Sequence, residues 1–64
     1  MSTGKVKFFN DQKGWGFITD SGTGKDYYFH NSNILEKVVA NDLVVFEIVE
    51  GKRGSKAINI KLGK

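Results

Sequence analysis

The chain has 64 residues, no cysteine, a formal net charge of +3 and a pI near 9.3. A domain of this size buries only about 60% of its unfolded surface, so residues 1–64 are predicted to form a single domain with a small core. Without cysteine there is no disulfide framework and no thiolate metal site, which fits the cytoplasm. The net positive charge is compatible with a polyanionic partner but does not by itself indicate one. No signal core precedes residue 6 and the longest apolar run is residues 43–46, so neither export nor a membrane partner is expected.

Five short strands are predicted, because polar, glycine-containing turns separate short apolar segments that have no 3.6-residue period. They span residues 5–10, 14–19, 26–30, 43–50 and 56–62. Asn31, Ser32 and Asn33 favour one short helical turn after the third strand, and nothing continues it.

Alternation along a strand predicts which side chains share a face. In the first strand it places Phe8 opposite Phe9, but it does not say which of them is exposed. In the third strand Tyr28 and His30 share one face. In the last strand three side chains are expected to face the core: Ile58, Ile60 and Leu62. Three others are expected to face out: Ala57, Asn59 and Lys61.

A basic, glycine-rich and aromatic segment follows the first turn. Alternation puts Trp15 and Phe17 side by side as a flat aromatic surface, with Gly14 and Gly16 on the opposite face. The glycines leave the tryptophan ring unobstructed, and Lys13 supplies a cation for phosphate beside π-faces for bases. The segment is therefore interpreted as a contact for single-stranded nucleic acid.

The alternative is that these two rings are ordinary core residues of a small β domain. Seven of the eight aromatic residues, however, lie between positions 8 and 29. One half of so small a domain does not bury seven rings, so some of them are expected to be exposed. An exposed aromatic cluster on a small protein usually marks a contact surface.

The fold class predicted from these strands is all-β, a five-stranded antiparallel OB-fold barrel. The chain is too small for a sandwich, and closure removes the edge strands that would otherwise aggregate. The basic-Gly-aromatic-Gly-aromatic pattern also begins an RRM signature. An RRM needs two helices behind its sheet, and this sequence has no helical period.

Four segments match a known family in order and spacing: residues 4–10 (GKVKFFN), 13–18 (KGWGFI), 30–34 (HNSNI) and 46–54 (FEIVEGKRG). Over essentially its whole length the chain resembles a bacterial cold-shock domain. The resemblance implies an OB barrel that binds single-stranded RNA or DNA, acts as an RNA chaperone and exposes Phe8. The binding residues that it implies are Lys7, Phe8, Lys13, Trp15, Phe17, Tyr28 and His30.

The sequence departs from that family's pattern at several positions. Phe8 stands where tryptophan is usual, so a weaker stack is expected there. Asn31 stands where phenylalanine is usual and is retained as a binding residue that hydrogen-bonds a base edge. Tyr27 and Phe29 replace smaller valines on the inward face, and the sequence does not explain how the core holds both.

The connection from Leu35 to Asp42 is shorter than in the family and lacks its glycines. Two outcomes are open. A connection that runs straight through Val38 and Val39 would let the last two strands complete a neighbouring barrel in a domain-swapped homodimer. A tighter turn around Asn41 and Asp42 would instead leave a monomer.

Reading the remaining polar residues as catalytic has little support. His30 is the only histidine and has no carboxylate companions at ligand spacing, so neither a metal, a cofactor nor nuclease activity is expected. Lys52, Arg53 and Lys56 form a basic turn that offers at most a backbone contact. The function that remains beside nucleic-acid binding is a small barrel that binds a protein partner with the same aromatic surface.

Overall fold

The computed structural model describes residues 2–51 and 54–63. Five strands, β1 (Ser2–Asn10), β2 (Trp15–Asp20), β3 (Asp26–His30), β4 (Leu43–Gly51) and β5 (Gly54–Leu62), form a closed barrel in the order β1-β2-β3-β5-β4. One 3-10 turn, Asn31–Asn33, follows β3 as the sequence predicts. The predicted all-β OB-type barrel is confirmed. Lys52 and Arg53 of the basic turn lie outside the described residues.

Two strands begin earlier than the sequence predicts. β1 starts at Ser2 rather than residue 5, because its first residues pair with β4, where Ser2 lies opposite Phe46. β5 starts at Gly54 rather than residue 56, because the β4–β5 hairpin stays paired up to Gly51 and Gly54. Both extensions depend on pairing with another strand, and local sequence patterns contain no information about that pairing.

The barrel is not antiparallel throughout, because β3 and β5 run parallel. Tyr28 pairs with Lys56, and beyond the end of β3 Ile34 bridges Ile60 of β5 in the same sense. All other neighbouring strands are antiparallel. A closed ring with an odd number of strands cannot alternate in direction all the way round, so one parallel seam is unavoidable.

The core lies inside the barrel and is apolar. Among the described residues its buried side chains are Val6, Ile18, Phe29, Val38, Val44, Phe46, Ala57 and Ile60. Each large member stabilises the fold by about 1.5–3 kcal/mol through removal of its surface from water. Phe46 and Ile60 come from the two strands of the C-terminal hairpin, so both halves of the chain are needed to complete the core.

A bulge in β1 settles which phenylalanine of that strand is exposed. Val6 pairs with Ile18 and Phe8 with Phe17, so β1 has one residue more than β2 between these pairs. The extra residue, Lys7, breaks the alternation. Val6 is therefore buried while Lys7 and Phe8 both face solvent, and the exposure that the family resemblance implied for Phe8 is confirmed.

A second bulge reverses one prediction for β5. Three residues of β4, from Val45 to Glu47, lie opposite four residues of β5, from Ile58 to Lys61, and within that stretch Asn59 has φ +51°. The extra residue shifts the inward positions. Ala57, predicted to face solvent, is buried, whereas Ile58 is only half-buried. The inward positions of Ile60 and Leu62 are retained, since both follow the bulge.

The structure shows how the core holds both Tyr27 and Phe29. The Phe29 ring is buried and stacks on Phe9 with ring centroids 5.5 Å apart. It also lies directly over Gly16, where a Cβ atom would be 2.7 Å from Phe29 Cζ. Tyr27 is half-buried against Phe46. Gly16 is therefore a packing requirement of the core, and this use replaces the predicted one of leaving Trp15 unobstructed.

The connection between β3 and β4 makes a tight turn within the chain. Asn41 has φ +75°, and Asp42 N–H donates to the Val39 carbonyl at 3.1 Å. The Asp42 carboxylate accepts from Val39 N–H at 2.9 Å. Val38 enters the core and Asn41 N–H donates to the Val6 carbonyl, which joins the turn to β1. The connection thus takes the turned path around Asn41 and Asp42 rather than the straight one.

Over residues 2–51 and 54–63, the chain has no helix with the length and apolar character needed to cross a membrane.

Candidate nucleic-acid interface

The register of β1, β2 and β3 arranges the outward side chains in three rows across the barrel. The first outer row is Asn10, Trp15 and His30; the second is Phe8, Phe17 and Tyr28; the third is Lys5, Thr19 and Asp26. Successive rows are about 6.8 Å apart, since a strand rises about 3.4 Å per residue. Apart from Lys7 in the β1 bulge, the intervening positions point into the core, so these rows form the outer surface of this part of the barrel.

Besides the His30 imidazole, the two outer rows nearest the β1–β2 turn carry four rings that form one continuous surface. This surface, the aromatic face, consists of Phe8, Trp15, Phe17 and Tyr28. Trp15 lies at its centre, 5.5 Å from Phe8, 5.7 Å from Phe17 and 6.4 Å from Tyr28 between ring centroids. Phe8, Phe17 and Tyr28 are 45%, 36% and 40% exposed. Trp15 is half-buried among them, so these rings are a solvent-facing surface and not the core.

The aromatic face is not the flat surface that alternation predicts. The Trp15 and Tyr28 rings lie within 24° of parallel, but Phe17 stands at 86° to Trp15 and at 73° to Tyr28. Alternation fixes the face on which a side chain lies and leaves its ring torsion open. A planar group stacked on Trp15 is therefore also nearly parallel to Tyr28, while Phe17 meets it with an edge.

Gly14, which precedes Trp15, and Asn31, which follows His30, contact each other beside the first outer row. Gly14 has φ +77°, which completes the β1–β2 turn. A Cβ atom on Gly14 would be 2.7 Å from the side-chain amide nitrogen of Asn31, Nδ2. Asn31 N–H in turn donates to the Gly14 carbonyl at 2.8 Å. Asn31 is exposed, so the structure places this predicted site residue at the edge of the aromatic face, packed on the turn.

Lys7 is paired with a carboxylate in the third outer row. Its Nζ lies 2.9 Å from Asp26 Oδ2, and the Thr19 hydroxyl donates to Asp26 Oδ1 at 2.7 Å. The hydrogen bonds from Lys7 and Thr19 hold the pKa of Asp26 below its ordinary value. Both partners are exposed, so the pair adds little stability. The charge of Lys7 is nevertheless largely compensated, which the sequence did not indicate.

Lys13 and Lys56 stand at opposite edges of the aromatic face. Lys13 is exposed in the β1–β2 turn, and its backbone N–H donates to Asn10 Oδ1 at 3.1 Å. Lys56 is exposed on β5 and pairs with Tyr28 across the parallel seam. The sequence placed Lys56 in a basic turn outside the predicted site. Only the strand order reveals it as a neighbour of the aromatic face.

His30 is exposed in the first outer row and caps the 3-10 turn that follows. Its Nδ1 accepts from Ser32 N–H at 3.2 Å and lies 2.9 Å from Ser32 Oγ. Because Nδ1 acts as an acceptor, the proton of the neutral ring is assigned to Nε2. His30 thus offers a ring face and one N–H donor beside Trp15.

Among residues 2–51 and 54–63, no three histidine or acidic side chains come close enough to hold a metal ion. The described surface instead combines ring faces, amide and imidazole donors, and lysines at the edges. Such a combination binds unpaired bases and their phosphates.

A closed five-stranded OB-type barrel with exposed aromatic side chains on β1 to β3 defines the class of small nucleic-acid-binding barrels. A family model described as the 'Cold-shock' DNA-binding domain matches residues 2–62. The chain belongs to the cold-shock domain family, whose members bind nucleic acid. The resemblance carried by the four sequence segments is confirmed.

Individual relatives agree over nearly the whole chain. The chain is 42% identical to the cold shock-like protein CspA of Stigmatella aurantiaca, with 95% of this chain and 96% of the relative covered. It is 41% identical to the cold shock protein ScoF of Streptomyces coelicolor, with 94% and 96% covered. It is 45% identical to the cold shock-like protein CspD of Bacillus cereus, again with 94% and 96% covered.

Proposed function

We propose that this protein binds single-stranded RNA and DNA without chemical change and acts as an RNA chaperone. The observation that carries the proposal is the aromatic face, four rings with neighbouring centroids 5.5–6.4 Å apart on the outside of the barrel. Each base that stacks on such a ring gains about 1–3 kcal/mol. Bases inside a duplex have no free faces, so this surface favours unpaired strands.

The predicted site residues divide by chemistry. Stacking is assigned to the aromatic face and to the His30 ring. Phosphate attraction is assigned to Lys13, and to Lys7 as far as its pairing with Asp26 allows. Asn31, which packs on the β1–β2 turn, is assigned a hydrogen bond to a base edge. Because stacking is tolerant of sequence, weak base preference is expected.

The chaperone activity follows from mass action. RNA bound on the aromatic face is withdrawn from the pool that can pair, so the folding equilibrium of the RNA shifts toward open forms without ATP. The shift is limited by the affinity for the open strand relative to the paired one. Release must therefore be fast enough for the RNA to sample other pairings.

Trp15 is the only tryptophan and reports directly on this surface. Its fluorescence should be quenched on titration with oligothymidine, because a base stacks on it. Phe17→Ala should weaken binding by about 1–3 kcal/mol, the loss of one stack. The matched control is Leu43→Ala, which truncates an apolar side chain that is 64% exposed outside the aromatic face and should leave affinity unchanged.

Two results would contradict the proposal. Unchanged Trp15 emission at a saturating oligonucleotide concentration would mean that bases do not stack there. Equal losses for Phe17→Ala and Leu43→Ala would mean that the aromatic face is not the binding surface. Capture of a folded protein by the same face, with no oligonucleotide bound, would favour the protein-interaction alternative.

A further inference from the structure

An open groove of about 320 Å³ lies beside the third outer row and shares only Lys7 with the site assigned so far. Its lining residues are Lys5, Val6, Lys7, Thr19, Ser21 and Asn41. It is bounded by β1, β2 and the tight turn around Asn41, which is hydrogen-bonded to Val6. The groove therefore begins where the aromatic face ends, about 6.8 Å further along the strands than the second outer row.

The polar groups of the groove are unequally engaged. The Thr19 hydroxyl donates to Asp26, the Ser21 hydroxyl donates to the Thr3 carbonyl, and Lys7 is paired with Asp26. Within the described part of the chain, neither the Lys5 ammonium nor the Asn41 amide has a hydrogen-bond partner. These two side chains are the donors left for a ligand.

The net charge of the groove favours the binding of one anion. Lys7 and Asp26 form an ion pair, whereas Lys5 has no salt-bridge partner among the described residues. None of the described residues that line the groove has an aromatic ring on which a base could stack. A cation and an amide donor without a ring suit a phosphate group rather than a base.

We infer that the groove is a phosphate subsite that holds the backbone of the bound strand one step beyond the aromatic face, with Lys5 and Asn41 as its ligands. The inference rests on the proposed function and extends it, since Lys5 and Asn41 are not among the residues assigned above. A strand too short to pass the second outer row does not reach the groove. Binding should therefore depend on Lys5 only above a threshold length.

The test compares wild type with Lys5→Gln in Trp15 fluorescence titrations with oligothymidines of about 4 to about 10 nucleotides, the lower part of the range of OB-fold site sizes. Short oligonucleotides should bind both proteins equally. Above the threshold length, Lys5→Gln should bind about two- to fivefold more weakly, the effect of one exposed ionic contact. Its log–log salt slope should be shallower by about 0.7.

Two further variants separate the groove from general electrostatics. Lys61→Gln removes the same charge from β5, two strands away from β1 in the barrel, and should show no threshold. Asn41→Gly keeps the φ of +75° accessible and removes only the amide. It should reproduce the length-dependent loss with an unchanged salt slope, because no charge is lost.

Several outcomes would overturn the inference. Equal weakening by Lys5→Gln and Lys61→Gln at every length would show that only overall charge matters. NMR shifts of Lys5 and Asn41 with inorganic phosphate, without any length dependence for oligonucleotides, would make the groove a site for free anions instead. If wild-type Trp15 is quenched at all lengths but no threshold exists, this inference fails alone. If no oligonucleotide quenches Trp15, the proposed function fails with it.

Discussion

Replacing Gly16 with alanine should lower the free energy of unfolding, because the added methyl group enters the barrel core. The added Cβ would overlap the Phe8 carbonyl oxygen and would lie 2.7 Å from Phe29 Cζ. Restoring an ordinary contact of 3.4 Å requires the Phe29 ring to retreat by about 0.7 Å. The ring is buried and stacked on Phe9, so it has little room to do so.

The magnitude follows from two opposing terms. Overpacking of this kind costs about 1–3 kcal/mol. Alanine regains about 0.5–1 kcal/mol because it loses less backbone entropy than glycine in a strand. The net expectation for Gly16→Ala is a loss of about 1–2 kcal/mol in the free energy of unfolding, or about 4–16 °C in Tm for a domain of this size.

Urea unfolding followed by Trp15 fluorescence measures this loss. Gly51→Ala is the matched control, because the nearest atom to its added Cβ is 3.6 Å away. It should change stability by less than about 0.5 kcal/mol. Phe29→Leu removes the ring atoms in conflict but leaves the Phe8 carbonyl in place. The double variant should therefore recover only part of the loss, with a coupling of about 0.5–1 kcal/mol.

The reasoning is refuted if Gly16→Ala is as stable as Gly51→Ala. It is also refuted if the effects of Gly16→Ala and Phe29→Leu simply add, since the ring would then not be what the new methyl group meets.

Four other outcomes are expected. Lys56→Ala should make the log–log salt slope of oligothymidine binding shallower by about 0.7, as measured by fluorescence titration in a salt series, because one phosphate contact beside Tyr28 is lost; an unchanged slope would remove Lys56 from the interface. The stabilisation from Asp26, whose pKa is lowered, should be complete above about pH 4 and lost as pH falls through the lowered pKa; Asp26→Asn should flatten that acid limb in urea unfolding, and an identical limb would contradict this. His30→Phe should keep oligothymidine affinity within about tenfold because it retains a ring face, whereas His30→Ala should lose a stack, and both variants lose the cap on Ser32 N–H; equal affinities would exclude stacking. Light scattering should give a monomer at high concentration, since the Asn41–Asp42 turn closes the barrel within one chain; a slowly exchanging dimer would favour the swapped form.

Features that depend only on neighbouring residues in the sequence could be predicted from the sequence. The third strand was predicted at its observed bounds, because turn residues and His30 mark both of its ends. The exposed positions of Phe17 and Tyr28 follow from alternation once one face is known to be outside. Phe8 needed the family resemblance, because a bulge at Lys7 interrupts the alternation on which the argument relies.

Apart from the ring torsions of the aromatic face, the failures involve a partner that is distant in the sequence. Ala57 is buried because a bulge around Asn59 shifts the inward positions of β5 relative to β4. Gly16 is required by Phe29, which lies on the next strand of the barrel. Lys56 joins the aromatic face only through the parallel pairing with Tyr28. Alternation and turn chemistry describe one strand at a time and contain no information about these contacts.

The parallel seam between β3 and β5 also links ligand binding to the integrity of the barrel. The seam joins the N-terminal three-stranded meander to the C-terminal hairpin, and its paired residues Tyr28 and Lys56 both face outward at the edge of the aromatic face. A nucleotide stacked on Tyr28 with its phosphate at Lys56 would contact both halves at once. Such a ligand would hold the two halves together at this seam, in addition to the pairing of β1 with β4. Binding slows amide exchange everywhere in the barrel, because it makes global unfolding rarer. Amide hydrogens of β5 should be slowed by more than this general factor, because the ligand also opposes local opening of the seam.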